Sequence, residues 1–452
     1  MSMQWDKMRF SNSQANLLPD HHPVNLEYLS FLKQFGEEGN VVVLAVKDSS
    51  LFTPEKFNRW NKLSKQLGAF PEVDFVLSTD NLQELVKDTV KQEFVMQPFI
   101  KQAPQTKKEV DSLTNHLFND LPFYDNLIYN KKTHTIRSVI YLDKDIVNTS
   151  VRKDFILEDL STLVKNFEKE TGLDVRISGM PYIRTMNSQN IIDEIGKFIL
   201  AALGVTSLIF FFFFRSFRAT IISMFVVIIG VMWAFGILGL LQYEITVLTA
   251  LIPPLIIVIG IPNCIFLINK YQQEVKKHGN QALSLQRVIS KIGNATLMTN
   301  VTTASGFATF IITDSKLLKE FGIVASMNII GIFVLSLLII PIIYSFMSLP
   351  KDKHLKHLNT KWIETFVSWM ERIVRERRIT VYIVSIALLV ASIIGIYQID
   401  ISGSPIEDMP KKAEFFKDIR FFEQEFDGIM PVEIVVDTER PKGVLKLSTL
   451  RK

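Results

Sequence analysis

The sequence predicts a multi-pass α-helical membrane protein that carries a separate α+β domain and contains an internal two-fold repeat. Three observations support this fold class. The 452 residues are 48% hydrophobic, include 34 phenylalanines and have a positive mean hydropathy of +0.22, so part of the chain belongs in a membrane. Long apolar stretches lie between residues 194 and 349 and again between 379 and 397, whereas residues 1–190 are mixed and charged. The charged residues after 400 also resemble those near the start.

Six apolar runs are long enough to cross a bilayer, for which a helix needs about 20 residues. They are Phe198–Phe214, Ala219–Leu241, Ile245–Ile268, Ala295–Ile312, Gly322–Leu349 and Ile379–Tyr397. The fourth run is short and rich in threonine, which makes it the weakest of the six. The first five form one membrane unit over residues 194–349, and the sixth, at 379–397, opens the second repeat.

The distribution of Lys and Arg predicts the orientation of these spans, because cytoplasmic loops retain basic residues. The loop after the first span holds Arg215 and Arg218, and the loops after the third and fifth spans hold five and eight basic residues. The alternate loops hold only Lys316 and Lys319. We therefore expect residues 1–190 and 400–452 to lie outside the cytoplasm, in a multi-pass protein of a bacterial inner or plasma membrane.

The basic loops contain two amphipathic patterns, at residues 281–293 and 361–376. The second pattern lies within the basic linker of residues 350–378. Helices that lie flat on the membrane surface would explain both patterns.

The first charged segment alternates strand and helix patterns. Strands are predicted at residues 39–48, 73–79, 136–143 and 173–179, and helices at 53–68, 107–120 and 151–172. Thr53 caps the first of these helices and Pro54 lies in its first turn. This βαβ spacing indicates a small α+β sandwich built from two interleaved ferredoxin-like units.

The two ends of the chain align without a gap when residues 18–48 are set on residues 409–439. Pro19 then meets Pro410, and Phe31 meets Phe422. We interpret this as an internal repeat, with residues 400–452 beginning a second extracytoplasmic domain. The first copy has no membrane helix and no signal peptide before it, so we expect the chain to be a fragment of a protein of about 780 residues.

Composition argues against several other classes of protein. The net charge is only +4 and no basic tract alternates with aromatics, so no nucleic-acid partner is expected. The single Cys264 excludes an internal disulfide and a cysteine-based metal site, and no metal or cofactor is expected. No nucleophile with a base and no phosphate-binding loop is recognisable, so the chain is not expected to be an enzyme.

Four local sequences carry a resemblance to a known family. They are GMPYIRT at residues 179–185, GIPNCIFLINKYQQE at 260–274, TNVTTASGFATF at 299–310 and FGIVASMNIIGIF at 321–333. Together with the order of domains, they resemble the resistance-nodulation-division (RND) superfamily of transporters, in its MMPL-like and Patched-like branch. The last three sequences also lie in what resembles a sterol-sensing domain, over residues 194–349.

The resemblance implies a porter-type extracytoplasmic domain and an ion-gradient-driven efflux of hydrophobic or amphipathic molecules such as lipids or drugs. It also implies contact with membrane lipids, a hydrophobic small-molecule substrate and possible homo-oligomers. Two other functions stay open. One is a non-transporting lipid-sensing or sterol-sensing regulator or scaffold, and the other is a permease subunit of an ATP-driven system.

The resemblance also points to an ion-relay site, where this chain departs from the family pattern. The branch carries an aspartate at the position of Pro262, and neither Pro262 nor the adjacent Asn263 titrates. Coupling would then use another ion, reside elsewhere in the protein, or be absent. Alternatively, Pro262 only kinks the helix and Asn263 only packs against a neighbouring helix.

The hydroxyls of Thr302 and Thr303 are further relay candidates, although such groups commonly bond back to their own helix. The remaining positions matched to the family motifs are predicted to be structural. They are Gly260, Asn269, Tyr271, Gly306, Gly179 and Pro181.

Overall fold

The computed structural model describes residues 21–36, 39–88, 93–214, 216–349, 361–399 and 410–428. The chain divides into two compact units. One comprises Leu29–Asn187 together with Met409–Lys452, and we call it the soluble unit. The other comprises Met1–Tyr28 and Ser188–Asp408, and we call it the membrane unit.

The soluble unit contains the predicted strands and helices with small shifts at their ends, except in the helix predicted over residues 151–172. There, two α-helices are joined by a π-helical stretch at Phe155–Leu160. Its strands are β1 (Val41–Val46), β2 (Val73–Leu77), β3 (Gln83–Asp88), β4 (Glu93–Pro98), β5 (Tyr129–Asn130), β6 (Thr135–Leu142) and β7 (Arg176–Ser178). Its helices are α2 (Pro54–Leu67), α3 (Lys107–Asp120), α4 (Ser150–Asp154) and α5 (Ser161–Thr171), after α1 (Pro23–Phe35), which spans the boundary between the units.

The main sheet has the strand order β2-β6-β1-β7, with all neighbours antiparallel. Helix α2 connects β1 to β2, and these two strands lie on either side of β6. Helix α5 lies between β6 and β7 in the chain, and these two strands lie on either side of β1. This arrangement is a ferredoxin-like split βαβ fold. The sequence predicted two interleaved units of this kind, whereas the described residues form one.

Helices α2 and α5 cover one face of this sheet. Trp60 of α2 is fully buried and meets Phe167 of α5 edge to face, with ring centroids 5.7 Å apart. Below α2, the hydroxyls of Ser64 in α2, Ser78 just after β2, and Ser138 in β6 bond to one another. These small hydrogen-bonded side chains let α2 approach the sheet closely while each of the three hydroxyls keeps a partner.

A hairpin of β3 and β4, which the sequence patterns did not predict, forms a separate two-stranded sheet. Its apolar residues Leu85, Phe94 and Met96 are exposed. Since neither strand buries a face among its described residues, the sequence lacks the clear alternation of apolar and polar residues that is typical of a half-buried strand. Contacts from Tyr124 and His116 help to attach the hairpin to the rest of the soluble unit. The Tyr124 hydroxyl donates to the Gln83 carbonyl at 2.6 Å, and His116 Nε2 lies 2.7 Å from Glu84 Oε2.

We expect this attachment to weaken as pH rises above 6.5. Hydrogen bonds to Asp120 and Glu84 raise the pKa of His116 above its ordinary 6.5. A raised histidine pKa stabilises the folded contact fully below 6.5, and that contribution is lost as pH rises through the folded pKa. Proton NMR of the His116 ring should report a pKa above 6.5 that falls in Glu84→Gln. A wild-type pKa at or below 6.5 would contradict the prediction.

A helix from the far end of the chain, α14 (Glu414–Phe426), packs against the sheet of the soluble unit. It contacts the edge strand β7, and Arg176 Nη1 of β7 lies 3.1 Å from Asp418 Oδ1. The helices α1 and α14 are both 13 residues long and occupy matching positions of the proposed repeat. The repeat itself stays a prediction.

Among its described residues, the membrane unit contains six helices long and apolar enough to span a bilayer, at the six predicted positions. They are α6 (Met180–Phe214), α7 (Phe217–Leu241), α9 (Ile252–His278), which follows the short α8 (Val247–Ala250), α10 (Gln281–Ala308), α11 (Lys316–Ser345) and α13 (Arg378–Ile396). The linker helix α12 (Lys361–Glu376) precedes α13. The described structure is therefore that of a multi-pass helical protein.

One predicted element of this unit differs in the structure. Residues 281–293 are not a separate surface helix but the first turns of α10, which continues without a break to Ala308. Ser284 and Val288 are buried in these turns. Their periodic apolar face packs inside the helical unit, and this explains the amphipathic pattern equally well.

Helices α7, α9 and α11 pack closely because of two glycines. A Cβ on Gly260 of α9 would lie 3.3 Å from Ile332 Cγ1 of α11, and one on Gly230 of α7 would overlap the same isoleucine. Small residues of this kind bring helix backbones together in membranes. Helix α13, in contrast, has no buried residue among those described.

Candidate functional site

The helix α9 positions the candidate site. It continues through Pro262, which has no N–H to donate to the preceding turn. Pro262 itself is exposed, whereas the next residue, Asn263, keeps only 4% of its surface accessible. The polar side chain, and not the proline ring, therefore points into the helical unit.

Asn263 pairs with Asn300 of α10. Asn263 Nδ2 donates to Asn300 Oδ1 at 3.1 Å, and Asn300 Nδ2 donates back to Asn263 Oδ1 at 2.9 Å. Asn300 Nδ2 also donates to the Thr296 carbonyl at 2.7 Å. Both side chains are almost fully buried, with Asn300 at 3% exposed. The two amides thus join α9 to α10 through neutral groups that satisfy one another, and we call them the amide pair.

The two threonine candidates do not join this pair. Thr302 donates to the Met298 carbonyl at 2.8 Å, and Thr303 donates to the Thr299 carbonyl at 2.9 Å, so both hydroxyls bond to their own helix. The partner of Asn263 is Asn300, a residue that the sequence reasoning did not select. Asn300 could have been selected from the motif TNVTTASGFATF, because amide side chains inside membrane helices commonly bond across helices.

The other motif residues of the membrane unit have varied surroundings. Gly260 sits in close contact with α11, as described above. Tyr271 is buried and its ring lies 4.8 Å from that of Tyr344. Asn269 is half-buried, and Gly306 is exposed, where an added Cβ would meet no atom within 4 Å. Gly260 and Tyr271 therefore lie in tightly packed surroundings, whereas nothing in the structure explains a need for glycine at 306.

Gly179 connects β7 to α6, and Pro181 lies at the start of α6. Gly179 has a φ of +113° and is the one residue between the strand and the helix. A Cβ at this position would overlap the Val41 carbonyl oxygen and lie 2.8 Å from Val42 Cα. Pro181 is buried in the first turn of α6, where its missing N–H costs nothing. The sequence GMP therefore lets an edge strand pass directly into a helix that continues into the membrane unit.

A buried carboxylate near the end of α9 was also missed. The predicted third span ended at Ile268, but α9 extends to His278 and buries Glu274. Arg287 of α10 approaches Glu274 at 3.3 Å, and His278 and Lys270 lie at 3.7 and 3.8 Å. The α9–α10 hairpin is thus joined at two levels, by the amide pair and by this ionic cluster.

We expect the amide pair to act as one unit in a double-mutant cycle. Asn263→Leu or Asn300→Leu alone leaves a lone amide inside the helical unit, whereas the double variant removes both polar groups. The coupling free energy should be about 0.6 to 2 kcal/mol, measured from thermal unfolding in detergent. Thr302→Val is the matched control and should change stability little, because that hydroxyl bonds only to its own helix. Strictly additive losses would contradict the pairing.

The described residues contain no group of three or more His, Cys, Asp or Glu side chains placed to hold a metal ion. The arrangement instead offers a neutral intramembrane polar pair next to a proline in the middle of a helix, and a soluble sheet connected directly to a membrane helix. Neither feature supplies a nucleophile or a general base.

Comparisons with known proteins agree with this architecture. The sequence profile of the MMPL family matches residues 54–379, from the soluble unit through the start of α13. A protein of Methanocaldococcus jannaschii that is named as a membrane protein is 25% identical over 188 residues, which is 41% of this chain and 48% of the relative. The chain therefore spans about half the length of that relative. Because the profile match covers more than half of the sequence, the chain belongs to the MMPL family.

Proposed function

We propose that this chain belongs to an RND-type transporter that moves hydrophobic or amphipathic molecules, such as lipids or drugs, under the control of an ion gradient. Membership in the MMPL family carries the transport assignment. The gradient and the class of substrate rest on the resemblance of the sequence motifs.

The connection between β7 and α6 supports a mechanical route for such transport. With Gly179 as the one residue between them, the strand and the helix have no loop to absorb a displacement. A shift of α6 along its axis would therefore move the edge of the soluble sheet. In this proposal the soluble unit handles the substrate and the membrane helices supply the movement.

The amide pair limits how the membrane unit could be driven. Neither amide titrates, so the pair does not carry a proton as an intramembrane carboxylate would. Opening of the pair would expose two carbonyl oxygens, which are suitable ligands for a hard cation such as Na⁺. We therefore propose that a cation, rather than a proton, acts at Asn263 and Asn300, with Pro262 allowing the local opening.

A second function is favoured by the same observation. A neutral pair whose hydrogen bonds are mutually satisfied is also what a static packing contact looks like. In that case the protein would be a lipid-sensing regulator or scaffold, and its membrane unit would bind lipid without moving it. No enzymatic activity is expected for either function.

Transport in vesicles distinguishes these functions. The full-length protein would be reconstituted with a fluorescent lipid or dye, and movement would be measured under a proton gradient, a sodium gradient or neither. We expect gradient-dependent movement in the wild type, a strong loss in Asn263→Ala, and altered ion dependence in Pro262→Asp. Transport that survives both loss of the gradients and loss of Asn263 would refute a role for the pair, and no transport under any gradient would favour the regulator.

The same proposal places residues 1–190 and 400–452 outside the cytoplasm of a bacterial inner or plasma membrane, in a protein that can form homo-oligomers. Labelling with a membrane-impermeant thiol reagent tests the orientation. Cysteine introduced at Lys131 should react in intact cells, and cysteine introduced at Lys276 should react only after lysis. The reverse pattern would overturn the assigned orientation.

A further inference from the structure

The linker helix α12 has two chemically opposite faces. Phe366, Trp369 and Val374 each expose more than half of their surface. Phe366, Met370, Ile373 and Val374 follow the spacing of one helix face, and Ser368, Arg372 and Arg375 lie on the opposite one. Exposed aromatic and aliphatic side chains on one side, with charges on the other, are typical of a helix that lies in a membrane interface.

The position of α12 along the chain determines its height relative to the bilayer. It ends at Glu376, and the candidate spanning helix α13 begins at Arg378. At Arg377 the backbone leaves the helical region, with ψ of 45°, so α12 and α13 are two helices and not one continuous rod. The end of α12 is therefore one residue from a membrane helix, which places it at the level of the lipid headgroups.

The charge of this region matches an anionic surface. Residues 365–378 contain four arginines and two glutamates. Arg375 contacts Glu371 and Glu376 only at 3.7 and 4.0 Å, on side chains that remain mostly exposed. Guanidinium groups bind phosphate oxygens in a bidentate manner, and basic residues beside a span are attracted to anionic lipids.

We propose that α12 lies in the headgroup layer where α13 begins, and binds anionic phospholipid there. The apolar face, centred on Phe366 and Met370, enters the upper acyl region. The arginines on the polar face and at the junction bind lipid phosphates. This surface anchors the start of α13, which has no buried residue among those described, and the proposal does not depend on the transport function.

Site-directed spin labelling of the full-length protein in lipid nanodiscs tests this orientation. One label replaces Phe366 on the apolar face and a matched label replaces Ser368 on the polar face. The native Cys264 is fully buried, so the unsubstituted protein is the labelling blank. We expect the label at 366 to be reached by oxygen and not by a water-soluble nickel complex, at a depth of about 5 to 10 Å. The label at 368 should show the opposite accessibility.

Lipid composition tests the charge. Adding phosphatidylglycerol to phosphatidylcholine should deepen the label at 366, and free inorganic phosphate should not reverse this shift. Arg372→Gln with Arg378→Gln should abolish the phosphatidylglycerol dependence, whereas Lys131→Gln with Lys132→Gln, which removes equal charge from the soluble unit, should not. Equal exposure of both labels to the nickel complex, or shielding of the 366 label from oxygen by a protein partner, would overturn the proposal. A depth that is indifferent to phosphatidylglycerol would overturn the assignment to anionic lipid.

Discussion

Replacing Gly179 with alanine should destabilise the soluble unit more than alanine at any other described glycine of that unit. The new Cβ would overlap the Val41 carbonyl and approach Val42 Cα to 2.8 Å, both on the backbone of a central strand. The φ of +113° adds strain for any residue with a side chain. Together these effects should cost about 4 kcal/mol. Thermal unfolding of the protein in detergent, followed through the soluble unit by circular dichroism, would measure the loss.

Gly172 provides the matched control for this substitution. It also has a positive φ, of 68°, but a Cβ there would meet no atom within 4 Å. Gly172→Ala should therefore cost only the conformational strain, about 1 to 2 kcal/mol. Equal losses at the two positions would show that close approach to β1 contributes nothing, and would contradict the role assigned to Gly179.

Replacing Glu425 with alanine should release α14 from the sheet. Glu425 is buried, accepts from Lys47 Nζ at 2.6 Å and Thr135 Oγ1 at 2.7 Å, and also accepts from Thr133. Removing the carboxylate leaves two threonine hydroxyls without this acceptor. The expected loss is about 3 kcal/mol, seen as faster hydrogen exchange along α14. Glu423→Ala, at a more exposed position of the same helix, should leave that exchange nearly unchanged.

Acid should produce the same release. Burial acts to raise the pKa of Glu425, but hydrogen bonds from Lys47, Thr133 and Thr135 outweigh it and hold the pKa below 4.5. A lowered carboxylate pKa stabilises docking above pH 4.5, and that stability is lost as pH falls through the folded pKa.

The second carboxylate of α14 behaves differently. Burial raises the pKa of Asp418 above 3.8 despite its bond to Arg176, so its protonation does not drive release in acid. Glu425→Gln should therefore abolish the acid-dependent step in α14 exchange, and Asp418→Asn should preserve it. The reverse result would assign the acid response to Asp418 instead.

Local sequence patterns were sufficient for most secondary structure. The helix predicted over residues 107–120 coincides with α3, whose start is fixed locally by a capping box of Thr106 and Glu109. The six spans were predicted because apolar length is a local property. The β3–β4 hairpin escaped prediction because its apolar residues are exposed and give no clear alternation.

The candidate site was only partly predictable. Asn263 was identified from the motif around it, but its partner lies 37 residues further along the chain. Glu274 was placed outside the membrane span because hydropathy ends a span at the first charges. In the structure Glu274 is buried, and Arg287 of α10 lies 3.3 Å from its carboxylate. Long-range neutralisation of this kind leaves no mark in a local hydropathy window.

The sequence alone determined the family resemblance, the positions of the spans and the alternation of strands and helices in the first soluble segment. All three follow from composition, motifs and periodicity over short windows. Only the tertiary structure decided that Asn300 pairs with Asn263, that α14 covers the sheet formed by residues 41–178, and that Gly179 must lack a side chain. Each of these depends on which distant backbones meet, and that is set by packing of the whole unit rather than by any local pattern.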